Sequence, residues 1–428
     1  MVIERQRYLD KLISHMNNGL IKVITGIRRC GKSYLLFEIF YNYLIGQGIP
    51  KENIIAVSLD DVEYFEYTDP HKLNDYIKSR LTDSNQNYYV FIDEAQYAIT
   101  KEEMKNPDVP IRLYGVLNGL LRKKNVDVYV TGSNSKFLSS DIMTEFRGRG
   151  DEIHIAPLSF SEYLPVAGKD KPDAWQDYTY YGGLPHVLAE PDAQSKTAYL
   201  ERLNKEIYLR DICDRYDIKD GSGMEELMKL LASSIGSLTN PQKVSDTFTS
   251  SGRKWISMPT ITNYLKYLQE SFMVQKVERY DIKGRKYIST PSKYYYTDIG
   301  LRNAFLNFRQ YEETHIMENI IYNELIYRGY NVDVGVVEIR VDENGKRIKK
   351  QLEVDFVVNQ GSKRFYIQSA LSIADPNKKE QEIKSLKRIP DSFSKIVVVR
   401  DYLKPWQDEN GITYVGLEQF LLDEDILR

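Results

Sequence analysis

The chain has 428 residues, which is too long for a single hydrophobic core and predicts roughly two to four domains. Its 42% hydrophobic and 28% charged residues are typical of a globular protein and exclude a disordered one. A net charge of −3 excludes a surface that is basic throughout, so any contact with nucleic acid must come from a local patch. No segment has the pattern of a signal peptide or a membrane span, and two cysteines cannot form a disulfide framework. We therefore expect a cytoplasmic protein with no membrane partner.

A glycine-rich loop, residues 26–33, follows the predicted strand 21–25 and precedes a predicted helix, and it has the pattern G-x-x-x-x-G-K-S. Glycines allow the tight turn that points backbone N–H groups at an anion, and the helix N-terminus adds partial positive charge. Lys32 is expected to reach the phosphates of ATP and Ser33 to hold Mg²⁺. The alternative is a chance match on a surface turn. The residues expected to contact the nucleotide are Gly26, Ile27, Arg28, Arg29, Cys30, Gly31, Lys32, Ser33 and Tyr34.

Acidic residues end the next two predicted strands, residues 53–61 and 88–94, with a predicted helix near residues 71–81 between them. In a parallel sheet the carboxyl ends of such strands form the edge where ligands bind. Asp93 is expected to hold the Mg²⁺ through water, and Glu94 to orient and deprotonate the attacking water. The alternative is a strand that merely ends in solvated acids.

A further strand, residues 126–131, is followed by polar side chains. Asn134 or Ser133 is the candidate for sensing the γ-phosphate or positioning water, although the same residues form ordinary turns. Downstream, Arg147 and Arg149 lie on a glycine-containing loop. They suit an arginine finger that acts on the nucleotide of a neighbouring subunit, which would require a homo-oligomer. They suit equally a solvated loop or a salt bridge.

These blocks resemble those of a prokaryotic family of AAA-type ATPases whose members carry a C-terminal domain of unknown function with a restriction-endonuclease-like fold. The resemblance implies an α/β fold in which a P-loop parallel sheet carries a helical lid, together with a polar sensor and an arginine loop. It implies less about the biological task. The segments that carry it are residues 24–33, 91–94, 131–134, 157–163, 181–185, 211–216, 297–302 and 318–319.

Helical periodicity in residues 193–215 is consistent with the lid of such an ATPase. Within it, charges of both signs alternate. We expect Arg210 and Arg215 to form local ion pairs with Asp211 and Asp214, and contact with a phosphate is the alternative.

The pattern of residues 221–308, helices followed by a hairpin with a basic tip, predicts a winged-helix module. Such a module either binds DNA or serves as packing between domains. If it binds DNA, one face of the helix at 259–268 would enter the groove and the hairpin tip would meet phosphates. The groove residues would be Thr262, Asn263 and Lys266, and the tip residues Lys283, Arg285 and Lys286.

For residues 309–428 the resemblance implies a restriction-endonuclease-like α/β domain. In nuclease-like folds a helix Glu, a strand Asp and a following Glu-x-Lys hold Mg²⁺ and activate water. The corresponding residues here are Glu318, Asp355 and Gln368, and Ala370 replaces the lysine. Because a neutral amide is a poor ligand for a hard cation, we expect a catalytically degenerate site.

The sequence thus predicts an ATPase core at 1–166, a lid at 167–220, a winged-helix domain at 221–308 and a nuclease-like domain at 309–428. The predicted function is an ATP-binding and ATP-hydrolysing, Mg²⁺-dependent switch that rearranges the last two modules on a macromolecular partner, DNA or protein. One alternative is a nucleotide-dependent binding module with negligible turnover. Another is an Mg²⁺-dependent nuclease controlled by ATP.

Overall fold

A computed structural model describes residues 3–106, 108–132, 150–250, 256–343 and 346–427. The chain divides into two compact units. The first unit contains the residues up to Pro157 together with Leu184–His186 and Glu270–Phe272, and the second contains the remainder. The division therefore falls ahead of the predicted boundary at residue 166, and the further subdivision into lid, winged helix and nuclease-like domain remains a prediction.

The first unit is built on a five-stranded parallel sheet in the order β2-β3-β4-β1-β5. The strands β1, β3 and β4 are short, largely apolar runs buried on both faces, as a parallel sheet covered by helices requires, whereas β5 is polar and only partly buried. The predicted strands are confirmed. They are β1 Ile21–Thr25, β2 Ile54–Ser58, β3 Tyr88–Asp93 and β4 Val126–Thr131, and the fifth strand, β5 Gly150–His154, was not predicted.

Helices cover this sheet, and the predicted helix at 71–81 is found at Pro70–Arg80, where Asp69 caps its first turn. The helix after the glycine loop runs through a central π-helical segment, Leu35–Phe40. The α-helices are α1 Gln6–Ser14, α2 Lys32–Tyr34, α3 Tyr41–Gly46, α4 Pro70–Arg80, α5 Lys101–Lys105 and α6 Arg112–Leu121. Short 3₁₀ turns lie at Lys51–Asn53, Val62–Thr68 and Ala95–Ala98.

The second unit begins with helices. The segment predicted to be helical at 193–215 is confirmed, with a π-helical stretch, Leu203–Leu209, between two α-helices. The α-helices before its sheet are α7 Phe160–Tyr163, α8 Lys171–Tyr181, α9 Ala193–Arg202, α10 Arg210–Tyr216, α11 Ser222–Ser233, α12 Pro241–Ser250 and α13 Met258–Glu270. The later ones are α14 Ile299–Phe305, α15 Glu313–Tyr327, α16 Pro376–Lys387 and α17 Leu417–Leu422. The 3₁₀ turns are Leu164–Val166, Pro185–Ala189 and Glu424–Leu427.

An eight-stranded mixed sheet forms the rest of the second unit, in the order β12-β13-β11-β10-β9-β8-β6-β7. Its strands are β6 Val274–Asp281, β7 Lys286–Tyr296, β8 Asn331–Glu343, β9 Lys346–Gln360, β10 Lys363–Ala370, β11 Ser394–Val399, β12 Trp406–Gln407 and β13 Ile412–Gly416. The predicted hairpin is formed by β6 and β7, and β6 pairs in parallel with β8, for example Arg279 with Val334. The boundary predicted at residue 308 therefore divides one continuous sheet, because the hairpin completes the sheet of the C-terminal segment.

Two expectations drawn from the composition can be compared with the described residues. None of the described helices combines the length with the apolar character that crossing a membrane requires. Cys30 and Cys213 are both free thiols, the first buried and the second half-buried.

Candidate functional site

The glycine loop at residues 26–33 connects β1 to α2 in the first unit, as its sequence predicts. Gly26 has φ +144°, and a Cβ atom there would lie 2.2 Å from the backbone oxygen of Ile155. Any side chain would therefore collide with backbone next to β5. Gly31, with φ +100°, occupies the N-cap of α2 in the left-handed region that glycine tolerates. Both glycines are thus required by the backbone path of the loop.

Lys32 is buried, with 4% of its surface exposed. Its Nζ donates hydrogen bonds to the backbone oxygens of Gly26 and Ile27, each at 3.1 Å. These bonds satisfy a buried ammonium group and hold it against the loop itself. The lysine is therefore placed to meet an anion that the loop binds.

The two residues predicted to hold Mg²⁺ are in contact. Asp93, at the end of β3, is 3% exposed and accepts hydrogen bonds from the hydroxyl groups of Thr131 and Ser33. Burial raises the pKa of Asp93, and these hydrogen bonds oppose the rise. Hydroxyl and carboxylate oxygens are the ligands that Mg²⁺ prefers. Ser33 and Asp93 therefore fit the cation that the loop pattern implies.

Glu94 follows β3 in the left-handed region, with φ +49°. Its backbone N–H donates to the Thr131 hydroxyl oxygen at 3.0 Å, and its carboxylate accepts a hydrogen bond from Gln96. A non-glycine residue in this conformation costs about 1–2 kcal/mol and persists only when its surroundings hold it there. Thr131 thus positions both Asp93 and Glu94 with one hydroxyl group.

The sequence did not predict this role for Thr131. The expected polar sensor was placed further along, at Ser133 or Asn134, and both lie outside the described residues, as do Arg147 and Arg149. Their roles remain predictions. The feature that could have pointed to Thr131 is its position as the last residue of β4, a strand that neighbours β3 in a parallel sheet.

Arg5 is a second residue that sequence reasoning missed. Its guanidinium group donates to the backbone oxygens of Cys30 at 3.0 Å and Ala156 at 2.8 Å, and lies 4.6 Å from the centre of the Tyr8 ring. It therefore ties the glycine loop to the chain segment that follows β5. Burial raises the pKa of the Cys30 thiol. The Cys30 side chain is therefore a neutral packing group inside the loop.

The remaining loop residues differ in exposure. Ile27 is buried and Arg28 is half-buried, with a guanidinium nitrogen 3.5 Å from the Tyr97 hydroxyl. Arg29, with φ +65°, and Tyr34 are exposed. Exposed side chains on this loop are accessible to a nucleotide. The contacts predicted for them therefore remain predictions.

The predicted degenerate nuclease-like residues lie together in the second unit. Glu318 from α15 and Asp355 from β9 approach the same ammonium group, that of Lys293, at 2.7 Å and 3.9 Å. Gln368 from β10 accepts a hydrogen bond from the Asp355 backbone at 3.4 Å. Within the described ranges, no group of three or more His, Cys, Asp or Glu side chains is arranged to hold a metal ion. Sequence reasoning placed three residues correctly side by side but missed Lys293.

The residues predicted to meet DNA lie where the pattern placed them. Thr262, Asn263 and Lys266 are on the exposed face of α13, opposite buried apolar side chains. Lys283 and Arg285 lie in the turn between β6 and β7, and Lys286 begins β7. Lys283 donates to the backbone oxygen of Glu338 at 3.2 Å. Contact with DNA remains a prediction.

The ion pairs predicted in the lid segment are confirmed. Arg215 lies 2.6 Å from Asp211, and Arg210 lies 3.6 Å from Asp214. Both pairs join residues four positions apart on α10, so these arginines stabilise their own helix.

Two family models match parts of the chain. A family model described as an AAA domain matches residues 18–164, and one described as a domain of unknown function matches residues 172–312. An uncharacterized protein of Haemophilus influenzae is 32% identical over 426 residues, covering 98% of this chain and 99% of the relative. An uncharacterized protein of Methanocaldococcus jannaschii is 27% identical over 384 residues, covering 86% of this chain and 78% of the relative.

Among solved structures, similar chains include PCH-2 of C. elegans, with a TM-score of 0.30 and 12% identity, covering 63% of this chain and 70% of that one. Another is the Aeropyrum pernix ORC1 protein in complex with DNA, with a TM-score of 0.29 and 13% identity, covering 71% and 92%. Likenesses this weak say nothing about a substrate or a partner.

Proposed function

The chain belongs to the same family as the Haemophilus influenzae relative and contains an AAA domain, and we propose that it is an ATP-hydrolysing switch. The observation that carries the proposal is the hydrogen bond between Ser33, which follows Lys32 in the glycine loop, and Asp93 at the end of β3, which Glu94 follows. A nucleotide-binding loop alone would serve binding only. A buried carboxylate hydrogen-bonded to Ser33, with a second carboxylate beside it, supplies what hydrolysis needs.

In this proposal each residue has one task. Lys32 exchanges its backbone partners for phosphate oxygens of ATP and offsets their charge. Ser33 and Asp93 would hold Mg²⁺, which would supply positive charge to neutralise the phosphates. Glu94 accepts the proton of the attacking water. Thr131 keeps the Asp93 carboxylate and the Glu94 backbone in place, so they need not reorganise during the reaction.

The finer part of the proposal concerns the partner. We infer that hydrolysis in the first unit is coupled to a macromolecule bound by the second. DNA is the partner that the basic turn at Lys283 and Arg285 favours, because Lys and Arg clusters bind phosphate backbones. A protein partner is the alternative. A homo-oligomer would be needed if Arg147 or Arg149 acts on a neighbouring nucleotide.

Two substitutions test hydrolysis. Lys32→Ala should lose ATP binding and activity together, whereas Glu94→Gln should bind ATP but hydrolyse it at least about 100-fold more slowly. The measurement is the steady-state release of phosphate beside the affinity for labelled ATP. Exposed Glu102, on α5 of the same unit, provides the matched control Glu102→Gln, which should behave as wild type.

The same experiment separates the alternatives. Undiminished hydrolysis by Lys32→Ala would refute the ATPase proposal. If wild type binds ATP without turnover and Glu94→Gln changes nothing, the protein is a nucleotide-dependent binding module. Plasmid DNA incubated with the wild type, ATP and Mg²⁺ or Mn²⁺ should remain intact, and cleavage that Asp355→Asn abolishes would favour the nuclease alternative.

A further inference from the structure

A buried lysine stands at the centre of the acidic cluster in the second unit. Lys293 lies on β7, and only 3% of its side chain is exposed. Its ammonium nitrogen is 2.7 Å from Glu318 on α15 and 2.7 Å from Glu353 on β9. The carboxylate of Asp355, also on β9, lies 3.9 Å away. One cation thus faces three carboxylates supplied by two other elements, α15 and β9.

The surrounding hydrogen bonds fix these carboxylates around the lysine. The Tyr295 hydroxyl, two residues along β7, donates to the same Glu318 oxygen that Lys293 contacts. The backbone N–H of Ser369 donates to the second oxygen of Asp355 at 2.8 Å. Burial disfavours a charged amine, yet the carboxylates of Glu318, Asp355 and Glu353 outweigh it and raise the pKa of Lys293. The two glutamate carboxylates at hydrogen-bond distance therefore favour the ammonium form of this lysine.

A divalent cation would need the positions that this ammonium group holds. Carboxylate ligands of Mg²⁺ or Mn²⁺ surround the ion at about 2.0–2.2 Å, so they must converge on a common point. Here Glu318 and Glu353 converge on Lys293 at hydrogen-bond distance instead. Placing a second cation beside a buried ammonium group would also be opposed by their mutual repulsion.

We propose that the ammonium group of Lys293 serves as the built-in cation of this cluster, in the position where a divalent metal would bind, and that its removal opens a divalent-cation site. The cluster in the native chain is then a metal-independent element that ties β7, α15 and β9 together. This inference does not depend on ATP hydrolysis in the first unit.

The test measures Mn²⁺ binding to the full-length protein without nucleotide, by calorimetry and by the paramagnetic resonance of free Mn²⁺. Lys293→Ala should gain one Mn²⁺ per chain, with an affinity at least about tenfold above wild type. The double variant Lys293→Ala/Asp355→Asn should lose that gain. In EDTA the single variant should melt at a lower temperature than wild type, and Mn²⁺ should recover part of the loss.

Each outcome decides the proposal. A folded Lys293→Ala protein that binds no more Mn²⁺ than wild type would refute it. If that variant does not fold, wild type is compared with Asp355→Asn. Equal Mn²⁺ binding by those two supports the proposal, whereas binding by wild type that Asp355→Asn abolishes shows that Lys293 yields to the metal and overturns it.

Discussion

The hydroxyl group of Thr131 is the most sharply testable residue-scale feature of the candidate site. It donates to the Asp93 carboxylate and accepts from the backbone N–H of Glu94, so it holds one carboxylate and the backbone of the next acidic residue. We expect Thr131→Val to lower kcat for ATP hydrolysis about 10–100-fold, the usual loss when a residue that supports metal ligands is removed. The KM for ATP should change much less, because Lys32 and the loop still bind the phosphates.

Thr131→Ser is the matched control, since it keeps the hydroxyl group and removes only a methyl group. It should restore most of kcat, as measured by steady-state phosphate release. A merely structural role would lower the melting temperature of both variants without separating their kcat values. Equal kcat values for Thr131→Val and wild type would contradict the positioning role.

Some candidate residues could be predicted from one short segment of sequence. Others act through contacts between elements that are distant in sequence. Lys32 and Ser33 were predictable because one short segment contains them and their chemistry, and Asp93 and Glu94 because they end an apolar run. Thr131 and Lys293 were not, because each acts on residues from other elements, and those contacts depend on strand order. Sequence spacing carries no information about which strand ends become neighbours.

At the scale of one element, α5 begins with a capping box whose acid has a second task. Glu103 accepts hydrogen bonds from the Thr100 backbone and hydroxyl, each at 2.7 Å, and from the Arg112 backbone and side chain, each at 3.0 Å. It therefore joins the start of α5 to the start of α6. Burial alone would raise the pKa of Glu103, but these hydrogen bonds outweigh it and lower the pKa to about 2.

The resulting stability should depend on pH in a defined direction. Because the pKa of Glu103 in the folded protein is about 2, below its ordinary value of 4.5, the unfolded chain binds more protons between these values. The contribution is therefore complete above about pH 4.5 and is lost as the pH falls toward 2. Glu103→Gln should lower the free energy of unfolding of the first unit by about 1–3 kcal/mol at pH 7, and by progressively less in acid.

Urea unfolding between pH 7 and pH 3 provides the measurement for Glu103. The neighbouring Glu102 is exposed in the first turn of the same helix, so Glu102→Gln removes the same charge with little loss of hydrogen bonding. A gap between the two variants that does not narrow in acid would show that the stabilisation comes from packing and not from the carboxylate.

Elements were predictable where local pattern decides them. The four-residue spacing of α10 predicted its ion pairs, and apolar runs predicted the strands of the first unit. The hairpin β6–β7 was also predicted, but its sheet was not. Its pairing with β8 joins residues such as Arg279 and Val334, far apart in sequence, and only burial of a common sheet face selects that partner.

At the scale of the whole molecule, the chain has a five-stranded parallel sheet in one compact unit and a larger, mixed sheet in the other. The first boundary was predictable only approximately, because the polar segment at 167–173 follows the division after Pro157. The later boundary at 308 was misleading, since the change from helices to strands there occurs within one sheet. Composition shifts mark changes of element type and do not by themselves mark the limits of a compact unit.

The proposed coupling between the units predicts that nucleic acid changes the ATPase rate through the second unit. If the turn between β6 and β7 meets DNA, double-stranded DNA should stimulate hydrolysis in the first unit. The triple substitution Lys283→Glu, Arg285→Glu and Lys286→Glu should abolish the stimulation and leave the basal rate unchanged. Stimulation by the wild type should also fall steeply with salt, because each phosphate contact releases counterions.

A matched triple substitution separates this local surface from total charge. Exposed basic residues of α16 and its C-cap allow the same change of six charge units elsewhere in the second unit, with Lys378→Glu, Lys384→Glu and Arg388→Glu. This control should keep the stimulation, measured as phosphate release with and without DNA at fixed salt. Equal loss in both variants would indicate general attraction to DNA. Absence of stimulation in the wild type would instead favour a protein partner, because the basal ATPase rate would then be intact but would not respond to nucleic acid.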